Sequence, residues 1–164
     1  MAEVAEFDAF VVARSGSLLR TAYLLLGDEQ RAEDLLQTAL TKAWFAWARI
    51  DWEPEAYVRR ILVTTAASWW RRRWVVETPT AVVPEEATAA PDEHEDLWNA
   101  LRHLPPRQRA VVVLRYLEDR SEAETARLLD CSPGTVKSQA AKALAKLRLD
   151  PALQAAPIDE RSRS

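Results

Sequence analysis

Three glycines in 164 residues leave little of the turn chemistry that a strand-rich chain needs at every hairpin. A single cysteine, Cys131, excludes an internal disulfide framework and a cysteine-based zinc site. The two histidines, His94 and His103, stand nine residues apart, one in an acidic run and one on a polar helix face. No Gly-rich phosphate loop and no Ser/His/Asp set with interpretable spacing accompanies them, so the sequence points to no enzyme, metal or cofactor. No apolar run approaches the length of a membrane span, and Glu3 and Glu6 occupy the place where a signal peptide carries positive charge. The expectation is a cytoplasmic chain with no membrane insertion.

Hydrophobic residues make up 48% of the chain, enough for a core. The net charge of −3 conceals strong segregation. Arg59 to Arg73 holds five arginines and no acid, Val75 to Leu101 holds seven acids and no Lys or Arg, and Lys137 to Arg148 holds four bases and no acid. Nucleic-acid binding depends on local patches, so the overall acidity does not exclude it.

Apolar periodicity predicts helices throughout. Phe7, Phe10, Val11, Leu18, Leu19, Ala22, Tyr23 and Leu26 recur at helical spacing over Glu6 to Leu26, and Gly27 closes that helix. Asp28 can cap a second helix reaching Ile50, with Ala32, Leu35, Leu36, Ala39, Leu40, Ala43, Trp44, Trp47 and Ile50 on one face. Glu33, Asp34, Gln37, Thr41 and Lys42 lie on the other side. Asp51-Trp52-Glu53-Pro54 breaks it, and Pro54 starts a third helix to about Trp74 with Tyr57, Val58, Ile61, Leu62, Thr65 and Trp69 facing inward.

Ser68 to Trp74 holds three tryptophans and three arginines in seven residues, which cannot all turn inward. Exposed aromatics offer stacking surfaces for unpaired bases and arginines offer phosphate forks. The plainer reading is a helix end whose arginines complement the macrodipole and snorkel over tryptophan.

From Val75 to Asp92 prolines and like charge replace the periodicity, so this segment reads as an extended, flexible acidic linker, about 60 Å when fully stretched. The fold expected is all-α: two small helical domains, residues 1–74 and 94–149, with residues 75–93 as linker and 150–164 as a frayed tail. In the second domain Leu97, Ala100, Leu101 and Leu104 mark one helix, Pro105-Pro106 ends it, and Arg107 to Leu117 forms the next.

Two further helices follow, joined by a tight turn. Ser121 with Glu124 makes a capping box, and Ala126 and Leu129 are the expected inward contacts. Ser132 can cap the last helix, with Pro133 at its first position and Val136, Ala140, Ala143, Leu144 and Leu147 as its stripe. Thr135, Lys137, Ser138, Gln139, Lys142, Lys146 and Arg148 occupy its other faces. This is the pattern of a helix-turn-helix, whose second helix meets base edges while basic side chains hold phosphates. Taken alone, an ordinary helical hairpin with a solvated face shares it.

Several of these segments resemble one family. Ala32-Glu33-Asp34-Leu35-Leu36-Gln37-Thr38 resembles the segment by which sigma-70-type transcription initiation factors grip core RNA polymerase. Leu104-Pro105-Pro106-Arg107-Gln108-Arg109-Ala110-Val111, Ala123-Glu124-Thr125-Ala126 and Gly134-Thr135-Val136-Lys137-Ser138 resemble the promoter-reading C-terminal domain of those factors. The two-domain layout is similar to the extracytoplasmic-function (ECF) group, and the Ser68-to-Trp74 run to an actinobacterial, SigE-type branch of it. The resemblance covers nearly the whole chain except both ends and the linker.

The resemblance implies a factor that directs core polymerase to promoters and assists their melting, without covalent chemistry. Asp34, Leu35, Gln37 and Thr38 would meet the polymerase β′ subunit, with β as a further contact. Asp51, Trp52, Arg59, Arg60, Ser68, Trp70, Arg71 and Arg72 would bind the minus-ten element. Ser132, Thr135, Lys137, Ser138, Gln139 and Lys142 would read the minus-thirty-five element. An anti-sigma factor is a further partner the family admits. Two departures stand out: Gln139-Ala140-Ala141 replaces the Arg and His of many relatives, and the Trp-rich run replaces their Leu/Arg pattern. Gln pairs with adenine where Arg prefers guanine, so the promoter sequence does not carry over. A free-standing helix-turn-helix regulator is the alternative the residues leave open.

Overall fold

Helices form where the apolar stripes lie and stop where capping residues stand. The computed structural model describes residues 2–50, 53–76 and 93–148, with side chains at 70–76 and 93–94 left out of the description. Among the described residues there are seven α-helices and no strand. They are α1 (Ala2–Leu26), α2 (Glu29–Ala46), α3 (Pro54–Val76), α4 (Glu93–Leu101), α5 (Pro106–Val112), α6 (Glu122–Leu129) and α7 (Pro133–Arg148). The acidic linker and the C-terminal tail expected from the sequence lie outside the described residues.

In α1, Gly27 closes the helix at φ +77°, where its N–H reaches the Tyr23 carbonyl oxygen at 2.6 Å. That left-handed conformation is cheap only for glycine. Asp28 then caps α2 by accepting the Arg31 N–H at 3.0 Å. The apolar stripe of α2 is buried from Ala32 to Ala43. It ends one turn sooner than the sequence pattern suggests: after Ala46 the chain tightens into a 3-10 turn, Trp47–Arg49. Trp44 is therefore left partly exposed, its ring tilted against Phe7, which also meets Trp47 edge-on.

One expectation about α1 needs correction. Over its most apolar 18 residues its mean hydropathy is 1.3, so it is long and apolar enough to cross a membrane by composition. Ser, Gly and Arg interrupt every apolar run, which hides this average. Its C-terminal half is committed to the core, where Leu18, Ala22, Leu24 and Leu25 are buried against α2 and α3.

The helix expected from Arg107 to Leu117 is two pieces. Pro106 starts α5, with its fixed φ and missing N–H both harmless there. From Val113 to Leu117 the winding widens into a π-turn, closed by the Glu118 N–H on the Val113 carbonyl oxygen at 3.0 Å. Asp119 follows at φ +53°.

Helix α3 is the centre of the assembly. It packs on α1 and α2 along one side and on α5 and α6 along another. Val58, Leu62, Val63 and Ala66 are buried there, and one continuous apolar cluster runs from Leu18 and Leu35 to Leu101, Val113 and Leu128. A smaller cluster of Val111, Ala126, Val136 and Ala140 seats α7 on α5 and α6.

Candidate nucleic-acid interface

The last two helices are built as the capping residues require. Ser121 accepts the Glu124 N–H at 3.0 Å, forming the serine half of the capping box at the start of α6. The buried face of α6 is Thr125, Ala126 and Leu128, with Leu129 only half-buried, so the stripe is rotated from the expected Ala126 and Leu129. Asp130 ends α6 in the left-handed conformation, a place where Asp is tolerated better than most residues. Ser132 then caps α7, accepting the Thr135 N–H at 3.1 Å, with the two hydroxyls 2.9 Å apart.

Val136, Ala140 and Ala143 face the core, which forces the opposite side of α7 outward. Lys137, Ser138 and Lys142 are exposed along that side, Thr135 and Gln139 are half-buried beside it, and Ser132 stands at its entry. The six residues named for the minus-thirty-five element thus come together at one end of one helix. Lys137 lies 3.8 Å from the carboxylate of Glu122 on α6, a loose and largely exposed pair worth at most about 1 kcal/mol.

On α2, Asp34 and Gln37 are exposed and Thr38 is half-buried, forming one polar edge. Thr38 donates its hydroxyl to the Asp34 carbonyl oxygen at 2.9 Å. Leu35 does not join them. It is 0% exposed, because it sits on the same stripe as Ala32 and Ala39, and the core takes it.

The minus-ten candidates are divided. Arg60 is half-buried, and so is Ser68 at the start of the Trp/Arg run. The side chains of Trp70, Arg71 and Arg72, and all of Asp51 and Trp52, lie outside the described residues. Arg59 is not on a surface at all in this arrangement, being only 5% exposed. Its guanidinium donates to Thr21 Oγ1 on α1 at 2.8 Å, to Glu55 on its own helix at 2.8 Å and to Glu118 after the π-turn at 2.6 Å. Thr21 also donates its hydroxyl to Glu118. Burial raises the Glu55 pKa, but the hydrogen bond from Arg59 and the charges of Arg59, Arg14 and Arg120 outweigh it and leave the carboxyl below its ordinary range.

Glu118 escaped the sequence reading. Only Glu55 and Arg59 at i, i+4 could have signalled the cluster, since nothing local pairs residues 59 positions apart. Arg109 was missed likewise. It is 1% exposed and donates to carbonyl oxygens of Leu25 at 2.8 Å, Leu101 at 3.2 Å and Leu104 at 3.0 Å, ends that α1 and α4 would otherwise leave bare. It also stacks 4.7 Å from the centroid of Trp98. Burial pulls its pKa down to about 10, still high enough to keep it a cation at neutral pH.

Residues 10–75 match the family model for sigma-70 region 2, and residues 94–147 match that for sigma-70 region 4. The chain belongs to the sigma-70 family. It is 43% identical to the RNA polymerase sigma-E factor of Streptomyces coelicolor over 99% of this chain and 94% of that protein. It is 32% identical to the ECF RNA polymerase sigma factor SigM of Mycobacterium tuberculosis, over 86% and 74% of the two chains. These relatives place this sigma factor in the extracytoplasmic-function group. The fold is shared with the sigma factor RpoE of Bartonella quintana, solved in complex with the anti-sigma factor NepR: TM-score 0.72, 24% identity, 93% of this chain and 99% of that one. In this sigma factor, region 2 is carried by α1 to α3 and region 4 by α4 to α7.

Proposed function

We propose that this sigma factor gives core RNA polymerase its promoter choice through two separated surfaces and engages polymerase through a third. The outward side of α7 would read the minus-thirty-five duplex, with Lys137, Ser138 and Gln139 at base edges and Lys142 on phosphate. Along α3, Arg60, Ser68, Trp70, Arg71 and Arg72, together with Asp51 and Trp52 before it, would hold the melted minus-ten strand. The polar edge of Asp34, Gln37 and Thr38 on α2 would meet the polymerase β′ subunit.

The observation that carries this reading is a capped, core-anchored α7 with Lys137, Ser138 and Lys142 exposed on one side. Binding energy for unpaired bases would offset the cost of melting, and no covalent step is needed. Such work places the chain in the cytoplasm. An anti-sigma factor is the further partner proposed, a protein of the kind bound to the Bartonella quintana neighbour.

Run-off transcription with purified core polymerase on a genomic DNA library tests this. The chain should confer initiation at a discrete set of promoters. Replacing Asp34 and Gln37 by Ala should weaken co-purification with core polymerase while the melting temperature holds, since both are exposed and such sites shift stability by no more than ~0.5 kcal/mol. Tight, sequence-specific binding to duplex DNA without polymerase would instead favour a free-standing operator binder.

A further inference from the structure

Four of the five large apolar side chains exposed among the described residues stand on α1 and α2. Val12 is 86% exposed and Phe45 76%, with Val4 and Trp44 less so. Single apolar residues scattered over a surface need no explanation, but a cluster of them marks a contact. The start of α1 lies against the end of α2: Phe7, one turn after Val4, meets the rings of Trp44 and Trp47, each at 5.2 Å.

The charges around this patch are sorted by helix. Glu3, Glu6 and Asp8 are exposed on α1, which carries no base before Arg14. Lys42 and Arg49 are exposed three residues before and four residues after Phe45. No ion pair joins any of these five to another described residue.

A lipid surface fits this badly, because anionic headgroups favour Lys and Arg beside an apolar face, and α1 offers acids. A second copy fits it. A two-fold axis along the groove between α1 and α2 sets the acidic start of α1 in one copy against the basic end of α2 in the other. The reverse contact follows by symmetry. Aromatic anchors at the centre and paired charges at the rim are the anatomy of a specific interface.

We propose that the exposed end of α1 and α2 is a two-fold interface for a second copy of this chain. Phe45 is its anchor, with Trp44, Val4 and Val12 around it. Phe45 also continues the stripe of Asp34, Thr38 and Thr41 along α2, at spacings of four, three and four. A paired chain therefore has one end of its polymerase-facing edge covered. That exclusion rests on the polymerase contact proposed above; the pairing itself does not.

Sedimentation velocity of the full chain is the test, in reducing buffer so that Cys131 cannot cross-link. It should show one closed pair that grows with concentration and weakens as salt rises. Phe45→Ser should weaken pairing roughly tenfold or more, since it removes both anchors at once. Lys42→Glu with Arg49→Glu makes both halves of the patch acidic, and Glu3→Lys with Glu6→Lys and Asp8→Lys makes both basic. Each of these chains alone should stay single where the parent pairs, while an equimolar mixture of the two should pair much as the parent does. Circular dichroism should show all of them equally helical.

A parent chain that stays single up to its solubility limit would overturn the interface. If Phe45→Ser then weakens co-purification with core polymerase, polymerase is the occupant instead. Open-ended growth in place of a closed pair would rule out the two-fold arrangement, as would reversed chains that pair alone as well as the parent. Core polymerase added to the pair should leave one chain per polymerase, and two chains on one polymerase would refute the exclusion. If polymerase binds neither the parent nor Phe45→Ser, the polymerase reading fails while sedimentation still decides the pairing.

Discussion

The two ends of the seam between region 2 and region 4 are built from the same residue type on opposite principles. At one end Arg109 is held by main-chain oxygens of Leu25, Leu101 and Leu104 and by the face of Trp98. At the other end Arg59 is held by the carboxylates of Glu55 and Glu118. Main-chain oxygens at helix ends cannot leave without unwinding a helix, and they have no better partner elsewhere. A glutamate side chain, by contrast, can be released from an ion pair without unwinding any helix. The Arg109 end therefore depends on main-chain structure and the Arg59 end on side-chain charge.

Breaking the Arg109 end should produce the largest effect. Arg109→Leu removes donors from three buried carbonyl oxygens and the cation over Trp98, and should cost about 3–5 kcal/mol in denaturant unfolding. Arg109→Lys should recover only part of that loss, because an ammonium lacks the planar fork. Next comes Gly27, at the same end. A Cβ there would lie 1.9 Å from the Trp98 ring on a backbone at φ +77°, so Gly27→Ala should cost roughly 2 kcal/mol or more and lower the melting temperature.

The Arg59 end should instead respond to acid. Glu55 titrates below its ordinary value of 4.5 in the folded chain, so the stability it contributes is complete above that value and is lost as pH falls through the lower one. The groups facing it are Arg14 from α1, Arg59 from its own helix and Arg120 from the segment after the π-turn, with Glu118 sharing Arg59. Melting temperature followed from pH 6 downward should fall less steeply for Glu55→Gln than for the parent. Equal acid limbs in the two chains would remove Glu55 from the seam's energetics.

The smallest effect lies on the exposed side of α7. Lys142→Ala should leave stability within about 0.5 kcal/mol, yet lower the slope of log affinity against log salt by about one for duplex DNA. Gln139→Ala should keep the slope and relax preference at one base pair. Identical sequence profiles and salt slopes would show that the two residues do not divide reading from holding.

What the sequence made legible follows from the range of the interactions. Caps act over three residues, so Asp28, Ser121 and Ser132 mark helix starts that the structure also has, as do Pro54 and Pro133. Apolar stripes act over one helix face, and those of α2 and α7 are buried much as their spacing implies. Leu35 was misplaced because a motif and a stripe both claimed it, and packing decided for the stripe. Arg59, Glu118 and Arg109 were illegible for another reason. A helix buried on two sides, as α3 is, carries charged residues inward only when distant segments supply partners, and no local spacing reveals those segments.

The π-turn at Val113–Leu117 sets a phase. Each residue of an ordinary helix advances the chain by about 100°, so deleting one residue there would restore regular winding while rotating everything beyond it by about that angle. Glu118 would swing off Arg59, and α6 and α7 would re-enter the fold facing a different way. A single-residue deletion in this stretch is thus a frameshift in three dimensions. It would separate two properties that the present winding ties together, the charge that meets Arg59 and the direction in which Lys137 and Lys142 look out.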